Sequence, residues 1–152
     1  MANTITLKGD PVVEELKAAA GFTPGMLLEL TTTARTAQKH ATGGGSAYAL
    51  FALEDENQGK EISDAYSTGN EALCGWFNTG DKVNALLANG ETAVIGSKLE
   101  SNGDGYLRVV DADVSVGDVI PHSVIAVARV ALDMSGSSAA DPASQRIAVT
   151  II

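Results

Sequence analysis

The chain reads as a mainly-β protein: a small β-barrel, or sandwich-like barrel, of short antiparallel strands with one short N-terminal α-helix. Apolar runs recur at spacings of about 8–12 residues, the rhythm of barrels and sandwiches. Between Gly80 and Val110 they are divided by Thr79-Gly80-Asp81, Asn89-Gly90, Gly96-Ser97, Asn102-Gly103 and Asp104-Gly105. Such pairs supply the positive φ of tight turns, so the pattern predicts strands folding back on one another. A single segment near the N-terminus has helix signals instead.

Thr4 to Leu7 alternates as a short strand or extended arm. Asp10 is placed as an N-cap, Pro11 at the first helical position, and Glu14 and Glu15 near the positive helix start. Val12, Val13, Leu16 and Ala20 give a helix over Pro11 to Ala20 its apolar face, and Gly21 ends it. Pro24-Gly25 turns into a strand from Met26 to Leu30, followed by the polar run Thr31 to Lys39 and the flexible loop Thr42 to Ser46. Ala47 to Leu53 is a strand buried on both faces, ended by Glu54-Asp55-Glu56, a solvated acidic group. Glu61 to Ser67 and Glu71 to Phe77 are further strands, divided by Thr68-Gly69-Asn70. Beyond the hairpins come Asp111 to Ile120 with a Gly117-Asp118 turn, the β-branched run Ser123 to Leu132, a small-residue loop from Met134 to Gln145, and a closing strand from Arg146 to Ile152. This divides the chain into an arm and helix over 1–21 and a β-domain over 22–152.

Nineteen acidic against ten basic residues give a net charge of −9, and the basic ones are scattered singly. Nucleic-acid binding needs clustered Lys and Arg to displace counterions, so phosphate backbones and anionic membranes are not expected partners. No run approaches the roughly 20 apolar residues of a membrane span. The N-terminus lacks a basic n-region and an apolar h-region, so no secretory signal is expected. One cysteine, Cys74, excludes an internal disulfide and fits a reducing compartment or a protein indifferent to redox state.

Catalysis needs a nucleophile, a base and a group to orient the base. The candidates are Cys74 with His40 or His122, the latter oriented by Asp118. Each has a structural explanation: Cys74 lies among apolar neighbours as a small hydrophobe, His122 follows Pro121 in a turn, and His40 sits in a polar loop. Asn102-Gly103-Asp104-Gly105 resembles the start of a calcium loop, but with Asn102 first and Asp113 twelfth, Tyr106 and Val110 occupy ligand positions. Gly43-Gly44-Gly45 lacks the Lys-Ser or Lys-Thr of a phosphate-binding loop, and Gly96-Ser97-Lys98 lacks its upstream glycine. Carrier domains present a modified lysine at a hairpin tip, and Ser101 to Gly105 carries none. No enzymatic activity, cofactor or metal is expected. Trp76 and Phe77 are adjacent, so on a strand they point to opposite faces, one into the core and the other covered by the helix or offered to a partner.

The segment order resembles the small capsid decoration, or cement, proteins of tailed bacteriophages. The likeness starts at Pro24 to Leu30 and takes in Ala49 to Asp55, Asn57 to Ile62 and the Tyr66 to Gly69 step. It continues through Gly80 to Ala88, Gly90 to Val94 and Gly96 to Gly105, and ends with Val127 to Asp133 and the closing strand with its Arg146. The resemblance implies a non-enzymatic β-barrel protein, made in the host cytoplasm, that forms a homotrimer, coats the outer surface of an icosahedral shell in the virion and bridges major-capsid subunits. Residues 22–152 would be the decoration domain. Contact residues expected on this reading are Ile5 and Leu7, adding a strand to a partner's sheet edge, and Trp76 or Phe77 as an aromatic anchor. The runner-up is a small ligand- or carbohydrate-binding β-barrel module, whose mark would be surface aromatics with polar partners.

Overall fold

The computed structural model describes residues 3–110, 123–137 and 141–152. Among them the chain forms one 3-10 turn, Glu56–Gln58, and thirteen strands. In order these are β1 Thr6–Lys8, β2 Val12–Ala18, β3 Leu28–Leu30, β4 Thr36–Lys39, β5 Leu50–Ala52, β6 Glu71–Trp76, β7 Lys82–Leu86, β8 Thr92–Ala93, β9 Lys98–Ser101, β10 Leu107–Val109, β11 Ala126–Ala128, β12 Leu132–Asp133 and β13 Arg146–Ile151. They build a six-stranded sheet ordered β1-β7-β13-β11-β9-β10, a five-stranded sheet ordered β3-β4-β2-β6-β5, and the pair β12-β8. The protein is mainly β, as expected, with antiparallel ladders throughout except between β2 and β4. The segment Asp111 to Ile120, with its expected Gly117-Asp118 turn, lies outside the described residues.

The expected N-terminal helix is a strand. Val12–Ala18 pairs with β6 over six positions on one side and with β4 in parallel on the other. A ten-residue helix is marginal alone, and intrinsic propensity is a weak term beside backbone pairing on two edges and burial of alternate side chains. Leu16 and Ala18 are buried while Glu15 before them and Lys17 between them are exposed, a period of two. Val12, Val13 and Ala20, three members of the supposed helical face, are all exposed.

The expected barrel does not close. The five-stranded sheet curls until its edges meet at one bridge between Leu27 and Phe51, where Gly25 N–H donates to Ala52 O (2.8 Å) and Ala52 N–H to Met26 O (3.1 Å). Both edge strands are three residues long, too short to carry that bridge into a ladder.

Two hydrophobic clusters result. The larger, with Leu53, Phe77, Leu99, Leu107, Ile147 and Val149 among its members, joins one face of the six-stranded sheet to the Phe51 side of the five-stranded sheet. The smaller fills the concave side of the curl with compact residues, Ala18, Ala37, Ala52, Ala72 and Cys74, around Leu28 and Leu50. Arg146 crosses between the sheets, donating from Nη1 to Pro24 O and from Nη2 to Ile62 O, both at 2.6 Å. Gly25 makes room for it: a Cβ there would sit 2.1 Å from Nη1, and its φ of +92° disfavours any side chain.

The turn glycines behave as read, with positive φ at Gly80, Gly90, Gly96, Gly103 and Gly105. The strands they join mostly do not pair. Within residues 80–110 only β9 and β10 form a consecutive hairpin, while the other turns send the chain from one sheet to another. Turn chemistry fixes a reversal but not the partner. Thr36–Lys39 is a strand inside the expected polar run, and Glu61 to Ser67 is not a strand, contributing one bridge from Tyr66 to Phe22. Ser123 to Leu132 is broken into β11 and β12 by a bend at Arg129 and Val130.

Candidate contact surface

The residues expected to carry contacts fall in different places. Ile5 is wholly buried, with its N–H held by Glu54 Oε2 at 3.1 Å. Leu7 is half-buried on β1, an edge strand paired on one side with β7. Phe77 is buried edge-on against Phe51, the ring centroids 5.8 Å apart. Trp76 faces the other way and is half-exposed.

Strand register builds a surface around Trp76. It lies beside Val12 of β2 and Leu50 of β5. Leu50 closes the core beneath, whereas Val12 is 65% exposed. Tyr48 stacks on Trp76 at 5.0 Å with the rings tilted by 35° and stays 41% exposed. The Tyr48 hydroxyl accepts the N–H of Leu30 at 2.7 Å, and that leucine is itself 45% exposed. Trp76 Nε1–H donates to Glu14 Oε1 at 2.8 Å. The result is two aromatic rings, two aliphatic side chains and one carboxylate at one end of the curled sheet, the composition of an interface anchor. A second apolar outcrop lies on adjoining turns, Val94 with Ile95 and, opposite, Val130, tied by Gly96 N–H to Ala128 O at 2.9 Å.

The residues weighed for catalysis are held structurally. Cys74 is fully buried and its thiol, pushed up to about 12 chiefly by burial, stays protonated. His40 is buried, with Nδ1 against Ser101 Oγ at 2.7 Å, Nε2 against Ser46 O at 2.9 Å, and Glu29 Oε2 3.7 Å away. This pins the Thr42 to Ser46 loop, whose Gly44 N–H donates to Ser101 O over the Arg108–Glu100 ion pair. His122, Asp118 and Asp113 lie outside the described residues. Asn102 to Gly105 forms the β9–β10 turn, with Asp104 Oδ1 accepting the N–H of Tyr106. Of the acidic group, only Glu56 is exposed; Glu54 is half-buried and Asp55 is buried, so the solvated reading of all three is corrected.

Reading the sequence found the outward aromatic and missed its neighbours. Val12 lies beside Trp76 only through the β2–β6 register, across more than sixty positions of chain, and no local signal encodes that.

The fold has a counterpart. The chain is similar in structure to the N base of head fiber gp8.5 in bacteriophage phi29, with a TM-score of 0.57 at 13% sequence identity, over 93% of this chain and 93% of that one. No protein-family model and no curated protein matches the sequence.

Proposed function

We propose that this chain is a non-enzymatic structural protein of a phage virion, seated on the outside of the head and bridging neighbouring major-capsid subunits. The observation that carries this reading is the shared fold with a phage head-fiber base along nearly the whole of both chains. The segment order that resembles decoration proteins points the same way. The Tyr48–Trp76 surface supplies an anchor, and exposed aromatic clusters of this kind mark binding faces. Assembly as a homotrimer would let modest single contacts add through effective concentration on a repeating lattice. The held states of Cys74 and His40 support a scaffold role over a catalytic one. The net charge of −9 suits a soluble subunit meeting a basic surface.

The test is retention on assembled procapsids compared with free capsid subunits, together with solution mass. Retention on the shell alone and a trimer mass are expected. Equal binding to free subunits, or to neither, would remove the reading. The runner-up, a carbohydrate-binding module, is favoured by one feature, the Tyr48–Trp76 pair with Glu14 beside it, and saturable binding on a glycan array that Trp76→Ala abolishes would select it.

A further inference from the structure

A second feature lies away from the aromatic surface. A cavity of about 430 Å³ opens beside the Phe22–Tyr66 bridge, lined among others by Asp55, Lys60, Asp64, Tyr66, Asn70 and Glu71. Three of these six are acids and one is basic. Asp64 Oδ2 is committed to the N–H of Glu61 at 2.7 Å, and Glu71 is exposed at the rim. Asp55 differs. It is only 8% exposed, and among the described residues its carboxylate takes no hydrogen bond and no ion pair, although its backbone oxygen accepts the N–H groups of Gln58 and Lys60. The little surface it keeps opens into the cavity.

A carboxylate with little surface left and no protein partner, facing a cavity, gains more from a cation than an exposed one does. The acids do not converge on a point: among the described residues no group of three or more His, Cys, Asp or Glu side chains is placed to hold a metal ion. The volume and the spread of acceptors suit a larger, planar cation with several donors, which is the chemistry of guanidinium. The Tyr66 hydroxyl donates to Leu53 O at 2.6 Å, and burial pushes it up to about 12, so it remains neutral and adds no charge to the cavity.

We propose that this cavity receives the guanidinium of an arginine presented by a protein partner, with Asp55 as its counter-ion. That the partner is the capsid lattice rests on the function proposed above; the cation site does not.

The experiment is an NMR titration of the whole protein with N-acetyl-arginine amide, using N-acetyl-citrulline amide as the neutral isostere. Saturable shifts at the Tyr66, Ser67 and Asn70 amides with the arginine probe alone are expected. Asp55→Asn should weaken them at least about tenfold, as for a buried charge pair, and Glu71→Gln by up to about fivefold, as for a rim charge. No saturation, equal response to citrulline, or full affinity in Asp55→Asn would overturn the site. Should Asp55→Asn fail to fold, the citrulline and Glu71→Gln arms decide. Retention of Asp55→Asn on procapsids separates the sources: lost retention supports a capsid arginine, whereas full retention overturns that source. Wild-type protein that binds the probe but not the shell would instead count against the proposed function.

Discussion

The two large sheets are built on different rules. In the six-stranded sheet the closing strand β13 alternates half-buried and buried through six residues, while β7, in register with it over five pairs, is buried from Val83 to Leu86 and sends Leu86 into the smaller core. The five-stranded sheet is curled, and β5 is buried on both faces: Phe51 enters the larger core while Leu50 and Ala52 enter the smaller. Its inner cluster interleaves Ala18, Ala37, Ala52, Ala72 and Cys74 with the larger Leu16, Phe22, Met26, Leu28, Leu50, Tyr66 and Leu86, small beside large filling the space within the curl. An alternating strand such as β13 writes its pattern into its own sequence. The curled sheet writes it across strands, where only the partner reveals the logic.

Several measurements would break or sharpen that contrast. The largest effect is expected at Cys74, at the centre of the curl. Its reaction with a thiol reagent in native protein should be slowed by about 10³-fold or more, because unfolding has to precede it; rapid labelling would mean that the concave core is open. Its raised pKa has a consequence of definite sign. The folded state keeps the proton that the unfolded thiol releases from about pH 9, so this stabilisation is complete below that pH and is lost as pH rises towards about 12. Denaturation midpoints should therefore fall in alkali, and less so in Cys74→Ala.

Next in size, Phe51→Ala should cost about 3–5 kcal/mol in chemical denaturation, since the ring packs edge-on against Phe77 where the two sheets meet. One cooperative transition, weakened as a whole, is expected. Two separate transitions would show the sheets to be independent. Gly75→Val should cost about 1–3 kcal/mol by overpacking, because a Cβ at that position already lies 3.1 Å from Leu53 Cδ1 and Phe77 Cε2. Trp76→Ala should cost only about 0.5–1.5 kcal/mol of stability beyond its lost area, yet it should abolish retention on shells; Phe77→Ala, one residue on, should do the reverse. The smallest effect tests the strand directly. Glu15→Thr, exposed on β2, should raise stability by up to about 1 kcal/mol if residues 12–18 are extended, whereas a helix would be weakened by a β-branched residue.

Much of the fold was legible. The closing strand, the Glu71 to Phe77 strand, the doubly buried centre of Ala47 to Leu53 and the positive-φ glycines follow from period-two alternation and turn chemistry, both local properties. The opposed directions of Trp76 and Phe77 were legible for the same reason. The β2 segment was not, because Asp10, Pro11 and two glutamates satisfy a helix start locally while the energy that overrides it comes from β6, some sixty residues away. Nor were the roles of Val12, Tyr48 and Asp55, which acquire their neighbours only on folding.

By itself the sequence determined that this chain is a mainly-β protein of short strands with glycine-set turns, because burial alternation and backbone conformation are decided residue by residue. Only the tertiary structure decided which strands pair, that the curled sheet stays open, and that an aromatic surface and an acid-lined cavity with Asp55 in its wall lie on the finished body. Those depend on register between distant segments, and no short stretch of chain contains it.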